Sequence, residues 1–212
     1  MKLQTHLKTV AATAALGALL AAPVAAQAAS CTAASGFDSF IGAATTSDVT
    51  LGLHDASACV ISGVNPASGP NGDTTGFDAD FGGGWTLLGK GAGSASIGGV
   101  EYTLTFTQTG PTAGTWSLTT DQDARFDLVF AVHAGGESGA FLFDDAATFA
   151  NVAQTGSWNI TWLNGGGNTP AFSNVTFFIR DAVAAAVPEP ASYALLLSGL
   201  ALVAGFIARR KH

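Results

Sequence analysis

The chain has 212 residues, of which 11% are charged and 27 are glycine, a composition that excludes long helical bundles and coiled coils. Between Ser30 and Val187, three basic residues face fourteen carboxylates, so this part carries a formal charge of −11. Because nucleic-acid binding requires a basic face, nucleic acid is excluded as a main partner.

The N-terminal residues have the order of an export signal. Lys2 and Lys8 precede an apolar stretch at residues 9–22, and Ala-Gln-Ala at residues 26–28 matches the small-x-small pattern of a cleavage site. We therefore predict a signal peptide at residues 1–28, which signal peptidase removes. A retained anchor is the alternative, but the apolar run is rich in alanine and too short to span a bilayer.

Cys31 and Cys59 are the two cysteines of the chain, and both lie in the part that the signal exports. An even number of cysteines outside the cytoplasm favours a disulfide. Closing a loop of about 29 residues stabilises a fold by roughly 3 to 4 kcal/mol in the chain-entropy model. We predict a bond that joins the N-terminal segment to the second strand, with two free thiols as the alternative.

Residues 29–180 are predicted to form one domain, in which apolar and polar side chains alternate with a period of two. Val100, Tyr102 and Leu104 alternate with Glu and Thr, as expected for a half-buried strand. Further strand candidates lie at residues 49–53, 58–62, 85–88, 115–119, 126–132, 140–143, 158–162 and 175–179.

Glycine-rich turns separate these strand candidates, and no amphipathic helical stretch occurs between them. Some nine short strands predict an all-β fold, an antiparallel β-sandwich of jelly-roll type. Residues 144–153 form the one helix-like interval, for which we expect a turn or two of helix.

The exported domain is rich in carboxylates that calcium could use. Asp73, Asp78 and Asp80 lie in a glycine-rich loop, and residues 121–127 form a second acidic loop. Extracellular calcium takes six to eight oxygen ligands, which makes the first three residues candidate ligands. Their spacing does not match an EF-hand, and solvated turns are the alternative, so we predict no bound metal and no cofactor.

Two arrangements of side chains resemble catalytic sites only in part. Ser138 and His54, with an aspartate between them, follow the chain order of a serine-protease triad. The surrounding residues of such a site and a Gly-x-Ser-x-Gly elbow are missing. His54 and His133 are too few for zinc, and we expect both to be solvated. We therefore predict that the chain is not an enzyme.

Tryptophan side chains at positions 85, 116, 158 and 162 are candidates for stacking on sugar rings. Trp158 and Trp162, however, share one face of a predicted strand. We expect these two indoles to pack in the core.

The C-terminal residues have the pattern of a membrane-spanning segment. Residues 191–208 carry no formal charge and would form about 27 Å of helix, against a bilayer core of about 30 Å. Arg209, Arg210 and Lys211 follow at once, and such a basic cluster stays on the cytoplasmic side. We predict a transmembrane helix at residues 191–208, with a basic stop-transfer tail at residues 209–212 and the domain outside the inner membrane.

Val187, Pro188, Glu189 and Pro190 precede this helix. Two prolines hold the backbone extended and accessible to a processing enzyme. Pro-Glu-Pro, an apolar helix and a basic end resemble, in this order, the PEP-CTERM sorting signal of Gram-negative bacteria. The resemblance covers residues 188–212, after a predicted linker at residues 181–187.

The resemblance implies a set of processing partners. Exosortase, a membrane enzyme similar to cysteine transpeptidases, would cut near Pro-Glu-Pro and release the domain or transfer it to the cell surface or exopolysaccharide matrix. Pro188, Glu189 and Pro190 are then substrate residues of that enzyme. Expected partners are signal peptidase, exosortase, the inner membrane before processing, and exopolysaccharide.

The function expected from this sequence is that of an exported structural protein of the cell surface or of a biofilm matrix. The alternative is a secreted carbohydrate-binding module or a polysaccharide-acting enzyme. A groove with facing carboxylates and aromatic walls would favour the alternative, whereas convex polar sheet faces would favour the structural role.

Overall fold

The computed structural model describes residues 28–35, 37, 42–185, 196 and 198–200. The predicted signal peptide lies outside these residues apart from Ala28. Val187, Pro188, Glu189 and Pro190 of the predicted sorting signal, and its tail at Arg209, Arg210 and Lys211, also lie outside them.

Within residues 28–185, the described residues form twelve β-strands, one turn of 3-10 helix at Thr46–Asp48 and one short α-helix, α1, at Asp78–Phe81. The strands are β1 Thr32–Ala33, β2 Thr50–Leu51, β3 His54–Asp55, β4 Ala58–Ser62, β5 Thr86–Lys90, β6 Gly93–Ile97, β7 Val100–Gln108, β8 Ala113–Thr120, β9 Ala124–Ala134, β10 Glu137–Thr148, β11 Gln154–Asn159 and β12 Phe172–Ala184.

The strands form three sheets. A six-stranded sheet has the order β1-β4-β10-β9-β12-β5, a four-stranded sheet has the order β11-β8-β7-β6, and β2 pairs with β3. Neighbouring strands are antiparallel except β1 and β4, which are parallel. The predicted all-β class, with few helices, is confirmed. The jelly-roll-like sandwich stays a prediction.

The apolar faces of the two larger sheets share one hydrophobic cluster. The ring of Trp116, on β8, lies 5.1 Å from that of Phe130 on β9 and 5.6 Å from that of Phe177 on β12. Each aromatic pair of this kind stabilises the fold by about 0.5 to 1.5 kcal/mol beyond area burial. Trp158 and Trp162 are buried in the same cluster, so their predicted place in the core is confirmed.

A second apolar cluster covers the opposite face of the six-stranded sheet. Val129, Ala131 and Phe178 belong to this cluster together with Phe77 and Phe81, which lie in the segment that precedes β5. The ring centroids of Phe77 and Phe178 are 5.4 Å apart. Central strands of the sheet are therefore buried on both faces. This explains why β9 has a nearly continuous apolar sequence from Leu128 to Val132.

Arg180 on β12 fastens this covering segment to the sheet. Its Nη2 donates a hydrogen bond of 2.7 Å to Asp127 Oδ2, and its Nη1 donates one of 2.7 Å to the Phe81 carbonyl. The guanidinium also lies 4.1 Å from the ring centroid of Trp85. A single side chain thus bridges strand, helix and loop.

The predicted disulfide between Cys31 and Cys59 is present, with a Cα–Cα distance of 4.7 Å. It lies beside the parallel pairing of Thr32 with Val60. The bond joins the N-terminal segment to β4, as expected.

The structure differs from the local predictions in four places. Residues 144–153 contain no helix, because β10 continues to Thr148 through a bulge between Phe143 and Ala146. The predicted strand at residues 158–162 ends at Asn159, and β12 extends to Ala184, into the segment predicted as a linker. Strand β6 was missed because Gly-Ser-Ala-Ser-Ile has little apolar contrast.

Candidate functional site

A cleft of about 530 Å³ lies beside the bulge of β10. We call it the bulge cleft. Its lining residues are Leu51, His54, Asp55, Ser57, Phe143, Asp144, Asp145, Ala146, Ala147, Phe149 and Gln154. The β2–β3 hairpin forms one wall, and the bulged part of β10 forms the other.

The bulge determines which polar side chains reach this cleft. Asp145 has φ +49°, a left-handed conformation that is uncommon for residues other than glycine. Its N–H donates a hydrogen bond of 3.0 Å to Asp127 Oδ1, and its carboxylate forms a 2.7 Å ion pair with Arg125. The N–H of Asp144 donates a hydrogen bond of 3.3 Å to Ser57 Oγ. These contacts hold two adjacent carboxylates at the rim of the cleft.

The bulge cleft is lined by both polar and apolar side chains. Asp55, Asp144 and Asp145 are hydrogen-bond acceptors, while His54 and Gln154 are able to donate or accept. Phe149 lines the same cleft with 61% of its surface exposed, and Leu53, at the tip of the hairpin wall, is fully exposed. Convergent polar groups beside exposed apolar surface are typical of a ligand site.

A second surface, on the solvent side of the four-stranded sheet, consists of hydroxyl side chains. We call it the hydroxyl face. It contains Ser94, Ser96, Thr103, Thr105, Thr107, Thr115, Ser117, Thr119, Thr155 and Ser157. The strand register places Ser94, Thr103 and Thr119 in one row, and Thr105, Ser117 and Thr155 in another.

Some hydroxyls of this face bond to one another, including Thr105 with Ser117 at 2.8 Å. A shallow groove of about 500 Å³ crosses the face where the β2 segment rises beside it. The hydroxyl face is a polar and nearly uncharged surface, on which Glu101 is the charged residue at one end.

Two of the three candidate calcium ligands, Asp73 and Asp78, have local structural roles. Asp73 Oδ1 accepts hydrogen bonds of 3.0 and 2.6 Å from the N–H and hydroxyl of Thr75, and Asp78 Oδ2 accepts one of 2.8 Å from Thr74. Asp80 is exposed on α1. Among the residues that the structure describes, no group of three or more His, Cys, Asp or Glu side chains is arranged to hold a metal ion. The carboxylates of Asp73 and Asp78 stabilise the covering loop.

The carboxylates of the second acidic loop also accept hydrogen bonds within the domain. Asp121 Oδ1 accepts a hydrogen bond of 2.9 Å from the Glu101 N–H, and Asp123 Oδ1 accepts one of 2.8 Å from the Ala150 N–H. Burial raises the pKa of Asp127, but the Asp145 N–H and the Arg180 guanidinium outweigh it, so the pKa lies below its ordinary value.

Ser138 and His54 are not brought together as a catalytic pair. Ser138 is 3% exposed, and its Oγ lies 2.8 Å from Nδ1 of His133, directly opposite on β9. His54 instead lines the bulge cleft, which Ser138 does not. His133 was expected to be solvated but is half-buried; burial lowers its pKa, although the Glu137 carbonyl and carboxylate act in the opposite direction.

The residues of the bulge cleft were missed in the sequence. Asp144 and Asp145 end the apolar run of residues 140–143 with two consecutive charges, and this break inside β10 coincides with the bulge. His54 and Asp55 line the cleft because the β2–β3 hairpin, which is far from β10 in the sequence, packs beside the bulge. No local sequence pattern indicates this packing.

Comparison with known proteins adds one match. The fold described above defines a β-rich protein with a disulfide-linked N-terminal segment. Residues 186–211 match the PEP-CTERM protein-sorting motif, which confirms the resemblance seen at the C-terminus. No curated protein and no solved structure matches the chain.

The sorting motif implies an exported, membrane-anchored protein that exosortase sorts to the cell surface. Of the predicted helix at residues 191–208, the structure describes Leu196 and residues 198–200, which are helical. In the described parts of the chain, no helix is both long and apolar enough to span a bilayer.

Proposed function

We propose that this chain is a structural protein of the cell surface or biofilm matrix of a Gram-negative bacterium, without a catalytic centre. A signal peptide at residues 1–28 starts its export, and a helix at residues 191–208 holds it in the inner membrane until exosortase acts near Pro188–Pro190. The exported part is a jelly-roll-like β-sandwich. The observation that carries this proposal is the sorting motif at residues 186–211.

The geometry of the domain supports a structural role. Asp73, Asp78, Asp121, Asp123 and Asp127 accept hydrogen bonds that hold loops in place. The disulfide suits an oxidising compartment, and the hydroxyl face is a polar sheet surface of the kind expected for a structural protein.

The experiment is intact-mass analysis and fractionation of cells that produce the full chain. We expect the surface fraction to lack the residues after the Pro-Glu-Pro segment, and Glu189→Ala to accumulate as longer protein in the inner membrane. Glu101→Ala, at an exposed glutamate of the domain, is the matched control and should be sorted normally. Recovery of the full C-terminus at the outer surface would contradict the proposal.

The bulge cleft favours a second candidate function, carbohydrate binding. A pyranose ring presents hydroxyls at its edge and C–H groups on its face, which match the carboxylates and the exposed Phe149, respectively. This cleft has the carboxylates and aromatic side chains expected of the alternative function.

Carbohydrate binding is tested with soluble polysaccharides by calorimetry or affinity electrophoresis of the exported protein. Phe149→Ala and Asp144→Asn should each weaken binding about tenfold or more, the effect of losing about 1.4 kcal/mol. Thr105→Ala, on the hydroxyl face, should leave it unchanged. If no neutral or cationic polysaccharide binds, this second function is wrong; release of shorter oligosaccharides would instead indicate an enzyme.

A further inference from the structure

The chain contains two Asn-Gly pairs, Asn71–Gly72 and Asn164–Gly165. In such a pair the peptide nitrogen of the glycine is able to attack the side-chain amide carbon of the asparagine. Glycine favours this reaction because it has no Cβ to shield its nitrogen and adopts a wide range of backbone angles. The reaction also requires the asparagine side chain to rotate toward that nitrogen. The fold therefore decides whether each pair reacts.

The fold holds the side chain of Asn164 in place. Its Oδ1 accepts hydrogen bonds of 3.0 Å from the Gly166 N–H and 3.1 Å from the Asn168 N–H. The backbone N–H of Asn164 also donates a hydrogen bond of 2.9 Å to the Asn168 carbonyl. Rotation of this side chain would break two hydrogen bonds, each of which stabilises the folded state. Asn164 is therefore protected from attack by the nitrogen of Gly165.

Asn71 lacks such a restraint. The residue is exposed, and in the described chain its side-chain amide neither donates nor accepts a hydrogen bond. It lies in the covering segment, residues 63–85, which packs on the outer face of the six-stranded sheet. The Gly72 N–H, which is the attacking group, donates no hydrogen bond to another described residue. Neither reacting group of this pair is held by the folded structure.

We propose that Asn71 is a site of spontaneous modification, at which the side-chain amide becomes a carboxylate and part of the product is isoaspartate. Hydroxide removes the Gly72 N–H proton, and the nitrogen bonds to Asn71 Cγ. The side-chain nitrogen takes up a proton and leaves as ammonia, which closes a succinimide ring.

Water then opens the ring at either carbonyl. Opening on one side gives aspartate, and opening on the other gives isoaspartate, in which the main chain runs through the former side chain. The net reaction consumes one water and releases one ammonia, with no oxidation or reduction.

The isoaspartate product lengthens the backbone where the covering segment has no room for it. Gly72 has φ +75°, and a Cβ placed on it would lie 2.7 Å from the buried ring of Phe178 and 3.0 Å from the Pro66 carbonyl oxygen. The Asp73 N–H donates a hydrogen bond of 3.0 Å to the same carbonyl and closes the loop. An additional backbone carbon before Gly72 displaces this loop, so the covering segment loosens from the sheet at Phe178.

Ageing of the full chain tests the first step and requires neither sorting nor a ligand. The detergent-solubilised protein is incubated at mildly alkaline pH, and peptide mapping by mass spectrometry measures a gain of about one dalton at each asparagine. In the folded protein we expect conversion at residue 71 to be at least about fivefold faster than at residue 164. In urea the two rates should be similar, because the hydrogen bonds of Asn164 are lost. Equal rates in the folded protein, or no conversion at residue 71, would overturn the proposal.

Asn71→Gln is the matched variant for this step. It keeps an uncharged amide, but attack by the Gly72 nitrogen would have to close a larger ring, which forms much more slowly. We expect no mass gain at residue 71 in this variant, with Asn164 unchanged from the wild-type protein. Conversion of Asn71→Gln at the wild-type rate would contradict ring closure through Gly72.

Hydrogen exchange followed by mass spectrometry tests the second step. The isoaspartate species should exchange the amide hydrogens of residues 63–85 at least about fivefold faster than unmodified protein, whereas strand β8 should exchange as before. Freshly prepared Asn71→Asp carries the new charge without the additional backbone carbon, so it should exchange like the wild-type protein. Equal loosening in Asn71→Asp, or none in the isoaspartate species, would overturn the proposed displacement.

Discussion

The six-stranded and four-stranded sheets differ in what covers their faces. The six-stranded sheet has apolar clusters on both faces, one shared with the other sheet and one beneath the segment before β5. The four-stranded sheet has one buried face, and its other face presents hydroxyls to solvent. This comparison indicates that the six-stranded sheet contributes mainly to stability, whereas the four-stranded sheet provides a solvent-exposed polar surface.

The largest expected effect is in the shared core. Phe130→Ala removes a fully buried ring that contacts Trp116 and Phe177, and the free energy of unfolding should fall by about 3 to 5 kcal/mol. Thr105→Ala on the hydroxyl face should change it by less than about 0.5 kcal/mol. Urea unfolding followed by tryptophan fluorescence measures both, and similar losses would contradict the division between the sheets.

Removal of the disulfide tests how the six-stranded sheet holds its short edge strand. The double variant Cys31→Ser/Cys59→Ser should lose about 2 to 4 kcal/mol, because the unfolded chain regains the freedom of the open loop. Thermal unfolding with and without reductant measures the loss. Reductant should leave the unfolding of the double variant unchanged. If reductant also leaves the unfolding of the wild-type protein unchanged, even with denaturant present to expose the disulfide, the prediction is contradicted.

Two ion pairs of the six-stranded sheet differ in how far they are buried. Arg180 and Asp127 have side chains 19% and 13% exposed, whereas Arg125 and Asp145 are 58% and 68% exposed. Asp127→Asn should lower the free energy of unfolding by about 1 to 3 kcal/mol. The substitution weakens the charge-assisted hydrogen bonds from Arg180, and water has little access to this pair to replace them. Arg125→Ala should cost less than about 1 kcal/mol. Chemical unfolding in low and high salt compares them, and a larger loss in Arg125→Ala would reverse the assignment.

The smallest expected effect is a pH dependence centred on His133. Burial lowers its pKa in the folded protein below the ordinary 6.5. Between these two values the unfolded chain binds the proton more readily, so stability is full above pH 6.5 and falls as the pH drops through the folded pKa. His133→Asn should remove this part of the dependence in unfolding curves from pH 7.5 to 5. An unchanged slope would show that another group is responsible.

Much of the fold was predictable where large apolar side chains alternate with small polar ones. Val100, Tyr102 and Leu104 mark β7 because each buries one face of a strand, and the two cysteines indicated their own pairing. Strand β6 could not be found in this way, since Ser94, Ala95 and Ser96 differ little in hydropathy. Its strand conformation depends on pairing with β7.

The candidate sites were less predictable than the strands. Ser138 was considered beside His54, but the register of β9 and β10 places it opposite His133. The bulge cleft joins Asp144 and Asp145 to His54 and Asp55, which are about ninety residues earlier in the chain. A cleft between distant segments has no local sequence pattern.

By itself, the sequence determined the sorting motif, the all-β class and the choice of cysteines, because these depend on residue order and on the alternation of side chains along a single strand. The tertiary structure decided which faces are covered and which polar groups meet, because these depend on strand register and on contacts between residues far apart in the chain.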